Sequence, residues 1–130
     1  MSKRFQEWFI LKSKLNSFSR EAAPLFKEAE IWWCSFGENI GSEENGKDAE
    51  FLRPVIIYKK FDRFTFLGIP LTSQTKEGSW YVSIRFQKQD QTVIVNQIRS
   101  LSVRRLRYYM GVIDETDYIK VKTGFSRLYL

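Results

Sequence analysis

The chain has 130 residues, 43% of them hydrophobic and 16% aromatic, which suits one compact domain with a real core and argues against global disorder. Its net charge of +6 and pI of about 9.5 fit a polyanionic partner, nucleic acid or an acidic protein that mimics it, as readily as they fit simple solubility. Histidine is absent and Cys34 is the one cysteine. That excludes a disulfide within the chain, disfavours a transition-metal centre or a hydrolase triad, and leaves any catalysis to Arg, Lys, Glu, Asp, Thr, Ser or Tyr.

The opening Met1-Ser2-Lys3-Arg4-Phe5 lacks the apolar core of a signal peptide, and no apolar run approaches a membrane span. Cys34, beside Trp32 and Trp33, reads as a buried strand residue rather than a nucleophile. The expected setting is a reducing cytoplasm, with no membrane partner. Phe5, Trp8, Phe9, Leu11 and Leu15 recur near helical spacing among charged residues. Ser17 to Pro24 breaks that pattern. Residues 1–28 are therefore expected to form a helical extension that docks through Phe5, Trp8 and Leu15.

From Glu30 the pattern turns to strands. Ile31-Trp32-Trp33-Cys34-Ser35-Phe36 is a short apolar run ended by Gly37. Residues 37–52 form a long loop with Gly37, Gly41 and Gly46 and the acids Glu38, Glu43, Glu44, Asp48 and Glu50; a loop of that length in a small domain is usually functional or mobile. Strand signals follow at Pro54–Tyr58, Phe64–Leu71, Trp80–Phe86, Thr92–Ile98 and about Arg104–Val112, separated by polar turns. Short strands without intervening helices predict a closed or nearly closed small barrel. After Asp114, a candidate N-cap, Tyr118, Val121, Phe125 and Leu128 keep helical spacing. The expected layout is a single domain over 1–130: a helical extension (1–28), a barrel core (29–113) and a C-terminal helix (114–130).

Several pieces bear on function. They are Gly41-Ser42-Glu43-Glu44-Asn45-Gly46-Lys47, Arg53-Pro54-Val55-Ile56-Ile57, Pro70-Leu71-Thr72-Ser73-Gln74, Asn96-Gln97-Ile98-Arg99, and Arg105-Leu106 with Gly111. Each alone reads as an ordinary surface loop, strand start or turn. In this order they resemble the MazF/PemK family of toxins from bacterial toxin–antitoxin modules. The resemblance begins at the opening strand, Glu30-Ile31-Trp32-Trp33, and continues through the glycine-acid loop. It then takes in the Arg-Pro that opens an apolar strand, the Pro-x-Thr-Thr/Ser turn, the Gln-x-Arg element, and the Arg-Leu and Gly of the last strand. It covers about Glu30 to Leu128. The chain departs from the pattern at Glu44, where many relatives have Gln, and in the extra residues Asp48–Leu52. The segment before Pro24 lies outside the family core.

The resemblance implies a mainly β (α+β) fold, a small SH3-like barrel. It also implies a homodimer that cleaves single-stranded RNA without a metal or other cofactor, and a separate antitoxin chain that blocks the groove. Carried over position by position, it makes Arg53, Thr72, Glu43 and Ser73 the catalytic candidates. The chemistry is compatible. RNA carries its own nucleophile, the 2′-hydroxyl, so an enzyme need only remove a proton, stabilise charge on the phosphate and protonate the leaving oxygen. Arg53 offers a planar fork of donors matched to phosphate. Thr72 and Ser73 can donate to phosphate oxygens or orient the 2′-hydroxyl. Glu43 can serve as base or as orienter of Arg53. Lys59, Lys60 and Arg63 form one basic group, and Gln97 and Arg99 open a run of arginines; these are the RNA-binding candidates, with a solvated strand edge as the alternative for the arginines. Tyr58, Phe61, Trp80 and Tyr81 can stack on bases or serve the core or a dimer interface. The rival to an endoribonuclease is a non-catalytic protein of the same fold that grips a protein target such as a topoisomerase.

Overall fold

A computed structural model describes residues 4–18, 22–37, 46–47 and 50–130. Helix α1 (Phe5–Asn16) is followed by strands β1 (Glu30–Ser35), β2 (Leu52–Lys60), β3 (Thr65–Thr72), β4 (Tyr81–Phe86), β5 (Gln89–Ile94), β6 (Arg99–Ser102) and β7 (Leu106–Val112), and then by helix α2 (Glu115–Tyr129). The strands form one antiparallel sheet in the order β4-β5-β3-β2-β1-β7, with β6 paired to β3. The fold is α+β and mainly β, as the strand-rich sequence predicts.

The apolar strands bury both faces, which is why they read as continuous hydrophobic runs. On β2, Val55 and Ile57 point into one cluster with Trp32, Cys34, Phe36 and Phe66, while Ile56 points into the other with Ile31, Ile69, Leu71 and Val93. Helix α2 closes the second cluster through buried Val121, with Tyr118, Phe125 and Leu128 packed beside it. Asp114 stands at the N-cap by position. Its side chain makes no capping bond; its carbonyl accepts from the Tyr118 amide at 2.8 Å.

Four details differ from the sequence-based expectation. First, the sheet is not closed: among the described residues no ladder joins β4 to β7. A side chain spans that seam instead, Gln87 Nε2 donating to the Met110 carbonyl at 2.6 Å. Second, the segment expected as one strand over Thr92–Ile98 is the end of β5 and a 3-10 turn at Val95–Gln97, after which the unexpected β6 returns to the same edge of β3. The β-branched Val93-Ile94-Val95 run favours extended backbone, but the turn redirects the chain and Val95 is buried within it. Third, β4 and β5 form a tight hairpin whose turn residues Gln87 and Lys88 have φ of 52° and 64°. Such left-handed turns normally carry Asn or Gly, so this one had no sequence signature. Fourth, the helix of the N-terminal extension stops at Asn16, and residues 22–28 run to β1 without helix. Trp8 and Leu15 are buried as expected, but Phe5 is 50% exposed. It lies about 60° around the helix from Trp8, on the flank away from Leu11.

Candidate active-site pocket

Register brings the main candidates together. Val55 of β2 pairs with Pro70 of β3. Arg53 and Thr72 stand two residues further along their strands in the same direction, and so share a face of the sheet. Arg53 is 7% exposed, and one guanidinium nitrogen (Nη1) donates to the Leu71 carbonyl at 3.1 Å. Thr72 Oγ1 accepts from the Gln74 amide at 3.2 Å, which fixes the turn that carries Ser73. Arg53, Thr72 and Ser73 line one cavity of about 310 Å³ together with Lys47, Gln89 and Gln91. Trp33, Leu52, Pro54, Leu71 and Met110 complete its wall. Two cations, two hydroxyls and two amides in an otherwise apolar recess can hold a phosphate and offer donors and acceptors to a neighbouring base.

The sequence reading missed Lys47, Gln89 and Gln91. Lys47 sits in a two-residue bridge with Leu52: the Lys47 amide donates to the Leu52 carbonyl at 2.8 Å and the Leu52 amide to the Lys47 carbonyl at 2.6 Å. Nothing local in Gly46-Lys47 signals this. Gln91 Oε1 is buried and has no hydrogen-bond partner among the described residues. Beyond the pocket, Glu50 binds β7: its carboxylate accepts from Tyr108 Oη at 2.9 Å and from Arg107 Nε and Nη2 at 3.1 and 2.9 Å. The Tyr108 bond, aided by Arg107 and opposed by partial burial, holds the Glu50 carboxyl below its ordinary range. Burial pushes the Cys34 thiol up to about 12, so it carries no thiolate chemistry at neutral pH.

Glu43 lies outside the described residues. The other candidates stand away from this cavity. Lys60 Nζ donates to the Phe26 carbonyl at 3.0 Å, and Arg63 donates to the Pro24 and Ala23 carbonyls at 2.9 and 2.6 Å. Both thereby strap the segment before β1 to the end of β2. Lys59 is exposed, with its ammonium 4.0 Å from Glu28. Gln97 ends the 3-10 turn after β5. Arg99 pairs with Gly68 in the ladder and lies over the Phe36 ring at 5.4 Å. Tyr58 packs against Tyr118 and Phe125 of α2, while Trp80 is partly exposed beside Tyr81.

Comparison with known proteins places these observations. No curated protein sequence matches the chain. Crystalline MazF from Deinococcus radiodurans superposes with a TM-score of 0.66 at 18% identity, covering 81% of this chain and 96% of that one. A MazE–MazF complex from the same organism gives 0.61 at 15% identity, covering 81% and 95%. An endoribonuclease from a mycobacterial species gives 0.59 at 15% identity, covering 81% and 89%. At such identities the likeness establishes the fold. The family assignment rests on the sequence itself: the profile of PemK-like, MazF-like toxins matches residues 27–129, from just before β1 to the end of α2. The chain belongs to the PemK-like, MazF-like toxins of type II toxin–antitoxin systems.

Proposed function

We propose that this protein is an endoribonuclease that cleaves single-stranded RNA without a metal, acts as a homodimer, and is neutralised by a separate antitoxin chain. The observation that carries the reading is the buried Arg53 guanidinium set beside Thr72 and Ser73 in one cavity. In the reaction, the 2′-oxygen loses its proton and attacks the adjacent phosphorus. The bond from phosphorus to the 5′-oxygen breaks, and that oxygen takes up a proton. The products are a 2′,3′-cyclic phosphate and a 5′-hydroxyl. Arg53 stabilises the charge that builds on the phosphoryl oxygens, its orientation held by the Leu71 carbonyl. Thr72 and Ser73 position the phosphate and the 2′-hydroxyl. Glu43 accepts the 2′-hydroxyl proton or orients Arg53. Lys59, Lys60, Arg63, Gln97 and Arg99 contribute outer contacts along the RNA chain.

The other parts of the proposal have their own support. An endoribonuclease and an antitoxin-bound MazF are among the similar structures. Strand β7 lies at the end of the sheet path with Tyr108, Tyr109 and Val112 exposed, a surface suited to a second copy.

The test is purified protein on a long unstructured RNA with a chelator present. Cleavage should leave cyclic-phosphate ends. Arg53→Ala should lower kcat by about 100- to 1000-fold, the usual cost of removing one such donor, and Thr72→Ala should also lower cleavage sharply. Intact RNA in the presence of excess wild-type protein would defeat the reading.

A further inference from the structure

We infer that Trp8, on a helix outside the family-matched region, is a positioning residue for the pocket: it seats the two chain segments that hold Lys47 beside Arg53. This rests on the reading of that pocket as an RNA site. Helix α1 ends before the matched residues 27–129 begin, so the arrangement belongs to this chain's added segment. Trp8 is buried, and its ring lies 5.4 Å from that of Phe51, which is 1% exposed. The indole also covers Gly37. A Cβ there would fall onto the indole carbons and lie 2.7 Å from its nitrogen, and the Gly37 φ of +90° independently requires glycine. One indole therefore fills the space against both Gly37 and Phe51.

From these two residues, contacts run directly to the cavity. The Phe51 carbonyl accepts from the Phe36 amide at 2.8 Å and from the Gly37 amide at 3.4 Å. The Gly46 amide donates to the Gly37 carbonyl at 2.6 Å, and a Cβ on Gly46 would run into the Phe51 carbonyl. Gly46 precedes Lys47, and Phe51 precedes Leu52 and Arg53. Lys47 and Leu52 are tied by their reciprocal backbone bonds. Phe51 also has φ of +55°, a left-handed backbone that a phenylalanine holds only where its surroundings impose it. Trp8 supplies one side of those surroundings and the Arg4 guanidinium, 4.1 Å from the Phe51 ring, another. Arg105 covers the Trp8 ring at 5.5 Å. Without the indole, Phe51 loses one of its packing partners and the Lys47–Leu52 bridge loses support, so Lys47 is no longer held at the pocket wall.

The test uses the full chain with Trp8→Ala, Trp8→Phe, Lys47→Ala and the Trp8→Ala/Lys47→Ala pair. Val121→Ala, in the core under α2, is the control for general destabilisation. Amide hydrogen exchange of Lys47 and Leu52, cleavage kinetics, and anisotropy of a labelled single-stranded RNA are followed. Trp8→Ala is expected to speed exchange at both amides at least tenfold and to raise KM for RNA at least fivefold. Trp8→Phe should restore most of both, and the double variant should be no worse than the poorer single one, since both changes remove the same contact. Unchanged exchange in Trp8→Ala, additive losses in the pair, or an equal KM rise in Val121→Ala would overturn the inference. If the wild type binds RNA but does not cleave it, the nuclease reading fails by itself, and tenfold weaker binding in Trp8→Ala still upholds the role of Trp8 while unchanged binding overturns it. A wild type that neither binds nor cleaves defeats both.

Discussion

Arg53 is nearly buried at the wall of the cavity, with its Nη1 donating to the Leu71 carbonyl. Arginine suits this position because its planar donors engage two phosphate oxygens together, while lysine offers a point charge. The residues Arg-Pro and Thr-Ser were legible in the sequence as a pair of motifs, and the β2–β3 register explains why they meet. Lys47 and Gln91 were not legible, because what makes them part of the cavity is a backbone bridge and a cross-sheet approach between residues far apart in the chain. Cys34 makes a separate prediction at this scale. It is fully buried and its thiol is raised to about 12, so at pH 8 the folded protein should resist iodoacetamide, with labelling appearing only as denaturant unfolds the chain. Rapid labelling of the folded protein, followed by mass spectrometry, would show that β1 opens on its own.

Among the elements, β7 is coupled to the approach to β2 through Glu50. The Tyr108 and Arg107 bonds lower the carboxyl's folded pKa, so the unfolded chain takes up its proton at a higher pH than the folded one does. The resulting stability is complete above the ordinary carboxylate range and is lost as pH falls through the depressed value. Glu50→Gln should therefore destabilise by up to about 1 kcal/mol at pH 7, a size typical of partly exposed ion pairs. The difference in urea midpoint between variant and wild type should shrink as pH falls below the ordinary carboxylate range. Strands β2 and β3 and helix α2 were readable from the sequence to within a few residues because their apolar residues bury in strict order. The N-terminal segment was half readable: burial of Trp8 and Leu15 follows from helical spacing, but the segment after Asn16 is shaped by Arg63 and Lys60, which grip its carbonyls from β2 and the turn beyond it. In the sequence those two residues look like free surface charge.

For the molecule as a whole, the proposed RNA binding would draw on the net charge of +6 through counterion release. For single strands the logarithm of the binding constant falls with that of salt concentration by about 0.7 per phosphate neutralised. If Arg53 and Lys47 each hold one phosphate, Arg53→Ala and Lys47→Ala should each flatten the measured KCl slope by about 0.7. Removing Arg63, which is occupied by backbone carbonyls, should flatten it less. The overall topology was foreseeable as a small β fold, but the number of strands was not. β6 is four residues long and carries no apolar run, and it exists because the 3-10 turn sets it against the free half of β3.

The open seam has a practical side. In a closed barrel the gap between the first and last strands is fixed by a ladder of backbone bonds, and its width cannot be altered without changing the strands themselves. Here the side chain of Gln87 reaches across to Met110, and Met110 also lines the pocket together with Gln89 and Gln91 from the far side of the same gap. The Gln87 bond therefore ties one pocket-lining residue, Met110, to the turn between β4 and β5. Shortening or lengthening the Gln87 side chain would loosen that tie at Met110 and, on the proposed RNA-binding role, change which RNA segments the recess accepts, with the core and the Arg53 wall left as they are.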